Sequence, residues 1–121
     1  MNNVYIMSAN RSAIGGFGGT LKNHCPVDLG TLVAKEAIAR SGYEANEVEH
    51  AVFGNVIHTE PRDMYVSRVI ALQAGMDKAS AALTVNRLCG SGLQAIVSAS
   101  QILMLGDASV AMAGGVEVMS N

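Results

Sequence analysis

The residues best suited to chemistry lie between Asn86 and Ile96, where Cys89 is followed by Gly-Ser-Gly. Before them, Ala81–Val85 is short, apolar and partly β-branched, which predicts a buried strand. After them, Leu93–Leu105 contains no charged residue, glycine or proline, which predicts a helix that is apolar nearly all round. The spacing therefore places a thiol between the end of a strand and the N-terminus of a helix.

A cysteine in this position has the surroundings that a nucleophile needs. A helix N-terminus presents free N–H groups and a partial positive charge, which favour the thiolate over the thiol. The same N–H groups can stabilise an oxyanion beside the sulfur, and the flanking glycines let a substrate approach the backbone closely. These features indicate that Cys89 carries an acyl group, with a buried structural cysteine as the alternative. The local pattern alone does not choose between them.

Length and composition limit the class of protein. With 121 residues, half of them hydrophobic and 15% charged, the chain is predicted to form one α/β domain and not a disordered region. The net charge of −2, with three Tyr, two Phe and no Trp, does not favour nucleic-acid binding. Cys25 and Cys89 are far apart and suggest no disulfide framework. The N-terminus has no basic region typical of a signal peptide, so we expect a cytoplasmic protein.

The uncharged run from Leu88 to Gly106 has the length of a membrane span. It also contains several serines and glutamines and three glycines, which makes it too polar for hydrocarbon. We interpret it as a helix buried in protein and expect no membrane association.

The hydrophobic pattern alternates between strands and helices along the whole chain. This order is typical of a mostly parallel sheet with helices on its faces. The further predicted elements are a strand at Val4–Met7, a glycine-rich loop at Ser8–Thr20, a helix at Pro26–Ser41 ended by Gly42, a strand at Ala51–Phe53 continuing through Val56–Ile57, a helix at Met64–Ala74 and a strand at Val110–Ala113.

Other ionisable residues give weaker signals. His24 and Cys25 are adjacent, but a zinc site needs three or four ligands and no second cluster is visible, so we expect no metal site. His50 and His58 have no catalytic partner nearby in the sequence and are interpreted as structural or solvated. Glu117 lies between two valines and needs a partner if it is buried.

The segment Asn86–Ile96 resembles the nucleophile segment of the thiolases, enzymes that make or break a carbon–carbon bond between acyl-CoA thioesters. Ser8–Gly19 is similar to the family's first strand and glycine-rich loop, and Phe53–Val56 and Ala113–Asn121 also fit. The similarity is collinear from Val4 to Asn121. The segment Thr59–Tyr65, followed by Arg68, looks most like bacterial β-ketothiolases of broad acyl range.

The resemblance implies a thiolase-like α/β fold, of which residues 1–121 form an incomplete N-terminal βαβαβαβ half, without the C-terminal half and the loop domain. It implies that Cys89 is the catalytic acyl carrier, with its backbone N–H as one oxyanion donor. The substrates are then coenzyme A thioesters, with no further cofactor. Arg62 and Arg68 are interpreted as solvated or ion-paired, with contact to a CoA phosphate as the alternative. Thiolases are dimers or tetramers, so we expect a homo-oligomer or association with the missing half.

The family's second half carries a Gly-His-Pro, a Cys-x-Gly and an Asn-Glu-Ala-Phe segment, none of which occurs here. General acid–base catalysis contributes roughly 10²–10⁴-fold, so we expect the isolated chain to lack full activity. Three alternatives stay open at this point: another condensing enzyme of the same fold, a non-catalytic interaction module, and a cysteine hydrolase.

Overall fold

The computed structural model describes Met1–Asn121, and helices and strands alternate along it from Pro26 onward. Two short 3-10 helices, Ala45–Glu47 and Pro61–Tyr65, lie in the connections. The main elements are α1 (Pro26–Ser41), β1 (His50–Gly54), α2 (Val66–Gln73), β2 (Ala81–Val85), α3 (Ser91–Leu105) and β3 (Ala111–Gly115).

The three strands form one parallel sheet in the order β2-β1-β3. At its carboxyl edge, Gly54 of β1 lies opposite Val85 of β2 and Gly115 of β3. Because all three strands run in the same direction, the segments that follow them meet at this edge. The predicted α/β class is confirmed, and the Cys89 turn is one of the segments that meet there.

The two faces of the sheet are covered unequally. Helices α1 and α2 pack on one face, where Val27, Val66 and Ile70 are fully buried. Helix α3 packs on the other face through Ala95 and Ala99, around Val52 of β1, in a much smaller cluster. Successive residues of a strand point to opposite faces, so β1 contributes to both clusters.

The ends of α1 follow from local signals. Proline stands in its first turn together with Asp28, which complements the helix dipole. Gly42 follows its last residue with φ +84°, the left-handed conformation that glycine adopts without strain. The prediction of a helix from Pro26 to Ser41 is confirmed.

The predicted strand at Val4–Met7 is wrong. The segment has no regular secondary structure, and Ile6 is 78% exposed. No neighbouring strand supplies the hydrogen bonds that an extended segment needs, so the sheet has three strands and not four. Side chains just beyond this segment attach the chain to α1: the Ser8 hydroxyl donates to the Ala37 carbonyl and the Asn10 amide to the Val33 carbonyl. A cavity of about 1420 Å³ lies between the segment and β3.

Helix α3 is mostly exposed, contrary to the prediction that it is buried. Only Ser91, Ala95 and Ala99 are buried along it, while Leu93 and Leu105 are 70% and 78% exposed. The stretch Leu88–Leu105 has the length and mean hydropathy, 1.5, of a membrane-spanning helix, and 17% of it is buried within the chain. Helix α3 is largely exposed because a three-stranded sheet covers only one narrow stripe of its surface.

Two strands also differ from their predictions. The bounds of β2 agree with the predicted strand, but β2 is an edge strand with no fully buried residue, because β1 pairs with only one of its sides. The strand β1 ends at Gly54 and does not continue through Val56–Ile57, since the chain there turns to meet the segment that follows β3.

Candidate active site

Cys89 lies in a tight turn between β2 and α3, two residues before the helix begins. The turn is closed by two backbone hydrogen bonds, from the Gly90 N–H to the Arg87 carbonyl (3.1 Å) and from the Ser91 N–H to the Leu88 carbonyl (3.1 Å). Leu88 has φ +49° and is the one residue other than glycine with positive φ. The side chain of Cys89 is exposed and forms no disulfide. The turn therefore presents the thiol to solvent.

The start of α3 lies directly against the end of β1. A Cβ atom added to Gly54 would lie 2.7 Å from the Cβ and carbonyl carbon of Ser91, a distance at which something must shift. A Cβ on Gly115 would lie 3.4 Å from the Cα of Gly92. Glycine at the ends of β1 and β3 thus lets the helix N-terminus, and the cysteine before it, approach the carboxyl edge of the sheet.

A cavity of about 640 Å³ opens beside Cys89 at this edge. In parallel α/β sheets, ligands bind at the carboxyl ends of the strands. The cavity is lined mainly by apolar side chains and glycine backbone. Its charged group is the Glu117 carboxylate. The apolar side chains are those of Val56, Ile57, Leu88, Val116 and Met119.

Two polar side chains brace the wall of this cavity. The Glu117 carboxylate accepts hydrogen bonds from the N–H groups of Val56 (2.5 Å) and Ile57 (3.3 Å). In return, the fully buried Asn55 donates its amide to the Val116 carbonyl, at 2.7 Å. The segments after β1 and β3 are therefore held together by one side chain from each. The sequence raised Glu117 only as needing a partner and did not indicate Asn55, whose contact depends on the strand order.

The backbone N–H of Cys89 donates to no group of the chain. It lies beside the thiol at the N-terminal end of α3, where the partial positive charge of the helix dipole is concentrated. An N–H without an internal acceptor is available to a bound oxygen atom. The turn thus supplies a thiol and one hydrogen-bond donor next to the same cavity.

The second cysteine is held differently. Cys25 is half-buried just before α1, where its thiol donates to the Asp28 carboxylate at 2.8 Å and lies 3.5 Å from the Arg62 guanidinium. Partial burial and the hydrogen bond with Asp28 raise the pKa of the Cys25 thiol above its ordinary value. Arg62 lies 2.8 Å from Glu60, which agrees with its interpretation as solvated or ion-paired.

The family model described as "Thiolase, N-terminal domain" matches residues 4–121. The chain belongs to the thiolase family. It is 58% identical to the beta-ketothiolase BktB of Cupriavidus necator over 117 residues, and 37% identical to the mitochondrial 3-ketoacyl-CoA thiolase of Bos taurus over 120 residues. These alignments cover 97% and 99% of this chain. The chain spans about 30% of the length of either relative.

Solved thiolases have the same fold over the matched part. The Bacillus anthracis acetyl-CoA acetyltransferase superimposes with a TM-score of 0.90 at 43% identity, covering 96% of this chain and 29% of the other. Human mitochondrial 3-ketoacyl-CoA thiolase in complex with CoA superimposes with a TM-score of 0.93 at 36% identity, with the same coverage. The predicted family and fold class are confirmed.

Within this thiolase chain, the structure brings no histidine to Cys89. His50 opens β1 at the end of the sheet opposite the cysteine, and neither His24 nor His58 lines the cavity. Arg68 donates to the backbone carbonyls of Ser80 and Lys78 and so anchors the chain before β2. No group of three or more His, Cys, Asp or Glu residues is placed to hold a metal ion.

Proposed function

We propose that Cys89 is the acyl-carrying nucleophile of a thiolase-type acyltransferase that acts on acyl-CoA thioesters. The observation that carries the proposal is the exposed thiol beside an apolar cavity, next to a backbone N–H that has no acceptor in the chain. Sulfur attack on the thioester carbonyl forms a new carbon–sulfur bond and an oxyanion, which the N–H group stabilises. Collapse breaks the bond to CoA, whose sulfur takes the proton lost by Cys89. The products are acyl-Cys89 and free CoA.

The names of the relatives support this substrate class. They include beta-ketothiolase, 3-ketoacyl-CoA thiolase and acetyl-CoA acetyltransferase, and one human relative was solved with CoA. In the whole enzyme, acyl-Cys89 would serve in Claisen condensation or in thiolysis of a β-ketoacyl-CoA. The apolar lining of the cavity suits an acyl chain.

We expect acylation of the 121-residue chain without sustained turnover. A thiolase moves two protons, from the nucleophile and from the carbon α to the thioester carbonyl, and the segments that the family uses for these steps are absent from the sequence. Residues 1–121 would then form a partial N-terminal domain.

The exposed face of α3 supports association with further protein. Helix α3 carries no charged residue. Its Leu93, Val97 and Leu105 are 70%, 42% and 78% exposed. We infer that a second copy or a C-terminal half covers this face, and the same face also fits the alternative of a non-catalytic interaction module. The cytoplasm stays our predicted location, although mitochondrial relatives show that the family is not confined to it.

The test is acetylation of the purified chain by acetyl-CoA, followed by intact-mass spectrometry. We expect one acetyl adduct in the unmodified chain and in Cys25→Ala, and none in Cys89→Ala. An adduct that persists in Cys89→Ala and is lost in Cys25→Ala would assign the acyl group to the wrong cysteine and overturn the proposal. Sustained thiolysis of acetoacetyl-CoA by the chain would contradict the expected lack of turnover.

A further inference from the structure

The turn that presents Cys89 contains a strained residue and a buried hydroxyl that holds it. We propose that Ser91 is a positioning residue, which keeps Leu88 in the left-handed conformation and thereby fixes the direction of the Cys89 thiol and N–H. The proposal deepens the proposed function and rests on it where acyl transfer is concerned.

Leu88 adopts a conformation that leucine disfavours. A φ of +49° crowds the Cβ atom of an L-residue against the carbonyl group of the preceding residue, and only glycine, or less often Asn and Asp, takes it routinely. Such residues persist only where their surroundings determine the conformation, and they cluster at functional sites. The groups around Leu88 must therefore supply the restraint.

The Ser91 hydroxyl makes contacts on both sides of Leu88. It accepts a hydrogen bond from the Arg87 N–H at 2.7 Å and donates one to the Leu88 carbonyl at 2.7 Å. Rotation of Leu88 to negative φ would break this pair of bonds, because the two backbone groups would no longer face the same oxygen. The hydroxyl thus links the peptide between Asn86 and Arg87 to the peptide that follows Leu88, so its two bonds span the strained residue.

Ser91 is itself fixed by its surroundings. It is 5% exposed and lies against Gly54, where no room exists for one additional carbon atom. The turn is therefore anchored to the end of the central strand through Ser91. The peptide that follows Leu88 ends in the Cys89 N–H, so the conformation of Leu88 sets the direction of the proposed oxyanion donor.

The experiment measures the rate of Cys89 alkylation by iodoacetamide in four variants of the chain. Loss of an anchoring hydroxyl displaces the reacting group, so we expect about a tenfold fall in Ser91→Ala. Ser100→Ala removes a hydroxyl that donates to the Ile96 carbonyl of the same helix and should leave the rate unchanged. Adding Leu88→Gly to Ser91→Ala should restore most of the rate, because glycine adopts positive φ without the hydroxyl. Adding Leu88→Ala should not, since alanine is as strained there as leucine.

Cys25 provides an internal reference in every variant. Its alkylation rate should stay constant, whereas general unfolding would expose it and raise the rate. An unchanged Cys89 rate in Ser91→Ala, or equal rescue by glycine and alanine at position 88, would overturn the proposal. If far-UV circular dichroism shows that Ser91→Ala is unfolded, Leu88→Gly and Leu88→Ala are compared as single substitutions in the chain that keeps Ser91. A higher Tm for glycine is then expected, and the reverse order would contradict it.

Alkylation does not require acyl transfer, so the two proposals can fail separately. If acetyl-CoA leaves no adduct on the unmodified chain while the alkylation rates follow the expected order, the acyl-carrier function fails and the positioning role stands. If acetylation occurs but its rate is the same in Ser91→Ala, the positioning role fails alone.

Discussion

The chain places its two cysteines at the starts of two helices, and it treats them in opposite ways. Cys25 precedes α1, is half-buried and donates a hydrogen bond to the Asp28 carboxylate. Cys89 precedes α3, is exposed and is surrounded by glycines, beside a cavity. A helix N-terminus alone therefore does not make a cysteine a nucleophile. Partial burial and the hydrogen bond with Asp28 raise the pKa of Cys25 and so favour its neutral thiol.

The first turns of the two helices show how this difference arises. Asp28 stands in the first turn of α1, where a carboxylate complements the helix dipole. The first turn of α3 has no acidic residue. A carboxylate that stabilises the helix also repels a thiolate at the same end, so one position cannot serve both purposes. The dipole of α3 is left uncompensated by side chains, and its N-terminus is available to an anion.

The largest expected difference is between the alkylation rates of the two thiols. We predict that iodoacetamide modifies Cys89 at least about ten times faster than Cys25 near pH 7, because Cys25 is held as a thiol. Peptide mapping of a time course measures both rates in one sample. Equal rates, or a faster Cys25, would show that the contacts of Cys25 do not protect it.

A second prediction concerns a substitution that changes only the surroundings of Cys89. Gly54→Ala forces a carbon atom against the backbone of Ser91, and overpacking of this kind costs about 1–3 kcal/mol of unfolding free energy. We expect Cys89 alkylation to fall about fivefold with this displacement, while Cys25 alkylation stays the same. Gly92→Ala is the matched control, because its added Cβ meets nothing within 4 Å. Urea unfolding and peptide mapping test both variants, and equal behaviour of the two would refute the close-contact explanation.

The smallest expected effect concerns Asp28. The hydrogen bond with its carboxylate helps to raise the pKa of Cys25, so Asp28→Asn should lower that pKa and move the alkylation profile of Cys25 to lower pH. Near pH 7 the thiolate fraction rises while its intrinsic nucleophilicity falls, and the net gain in rate is about two- to fourfold. Glu36→Gln removes a carboxylate of the same helix that pairs with Arg40, and it should leave Cys25 unchanged. A profile that moves to higher pH would reverse our assignment of Asp28.

Much of the fold is encoded in short segments and could be predicted from them. The bounds of β2 and α1 agree with the predictions because turn residues, proline and Gly42 mark them locally. The prediction at Val4–Met7 failed because a strand also needs a neighbour, and hydrophobicity does not show whether one is present. The predicted burial of α3 failed for the same reason, since its apolar face extends beyond what three strands cover.

Some residues of the candidate site could also be predicted from the sequence, and others could not. Cys89 was predicted because a strand, a glycine-rich turn and a helix follow one another in the sequence. The roles of Asn55 and Glu117 depend on which strands are neighbours, so no local pattern indicates them. The strain at Leu88 was also missed, because a leucine gives no sign of positive φ and the restraint comes from the hydroxyl three residues later.

The contacts that hold the cavity wall determine when the site can form during synthesis of the chain. Domains generally fold as units during synthesis, and the wall beside Cys89 includes Glu117 and Met119. Ser120 accepts a hydrogen bond from the Gly18 N–H, and the Asn121 side chain donates to the His24 carbonyl. The ribosome must therefore release the segment after β3 before the cysteine gains its cavity. A nascent chain that ends before Val116 carries its thiol on an open turn, so the nucleophile is translated well before its binding site is complete.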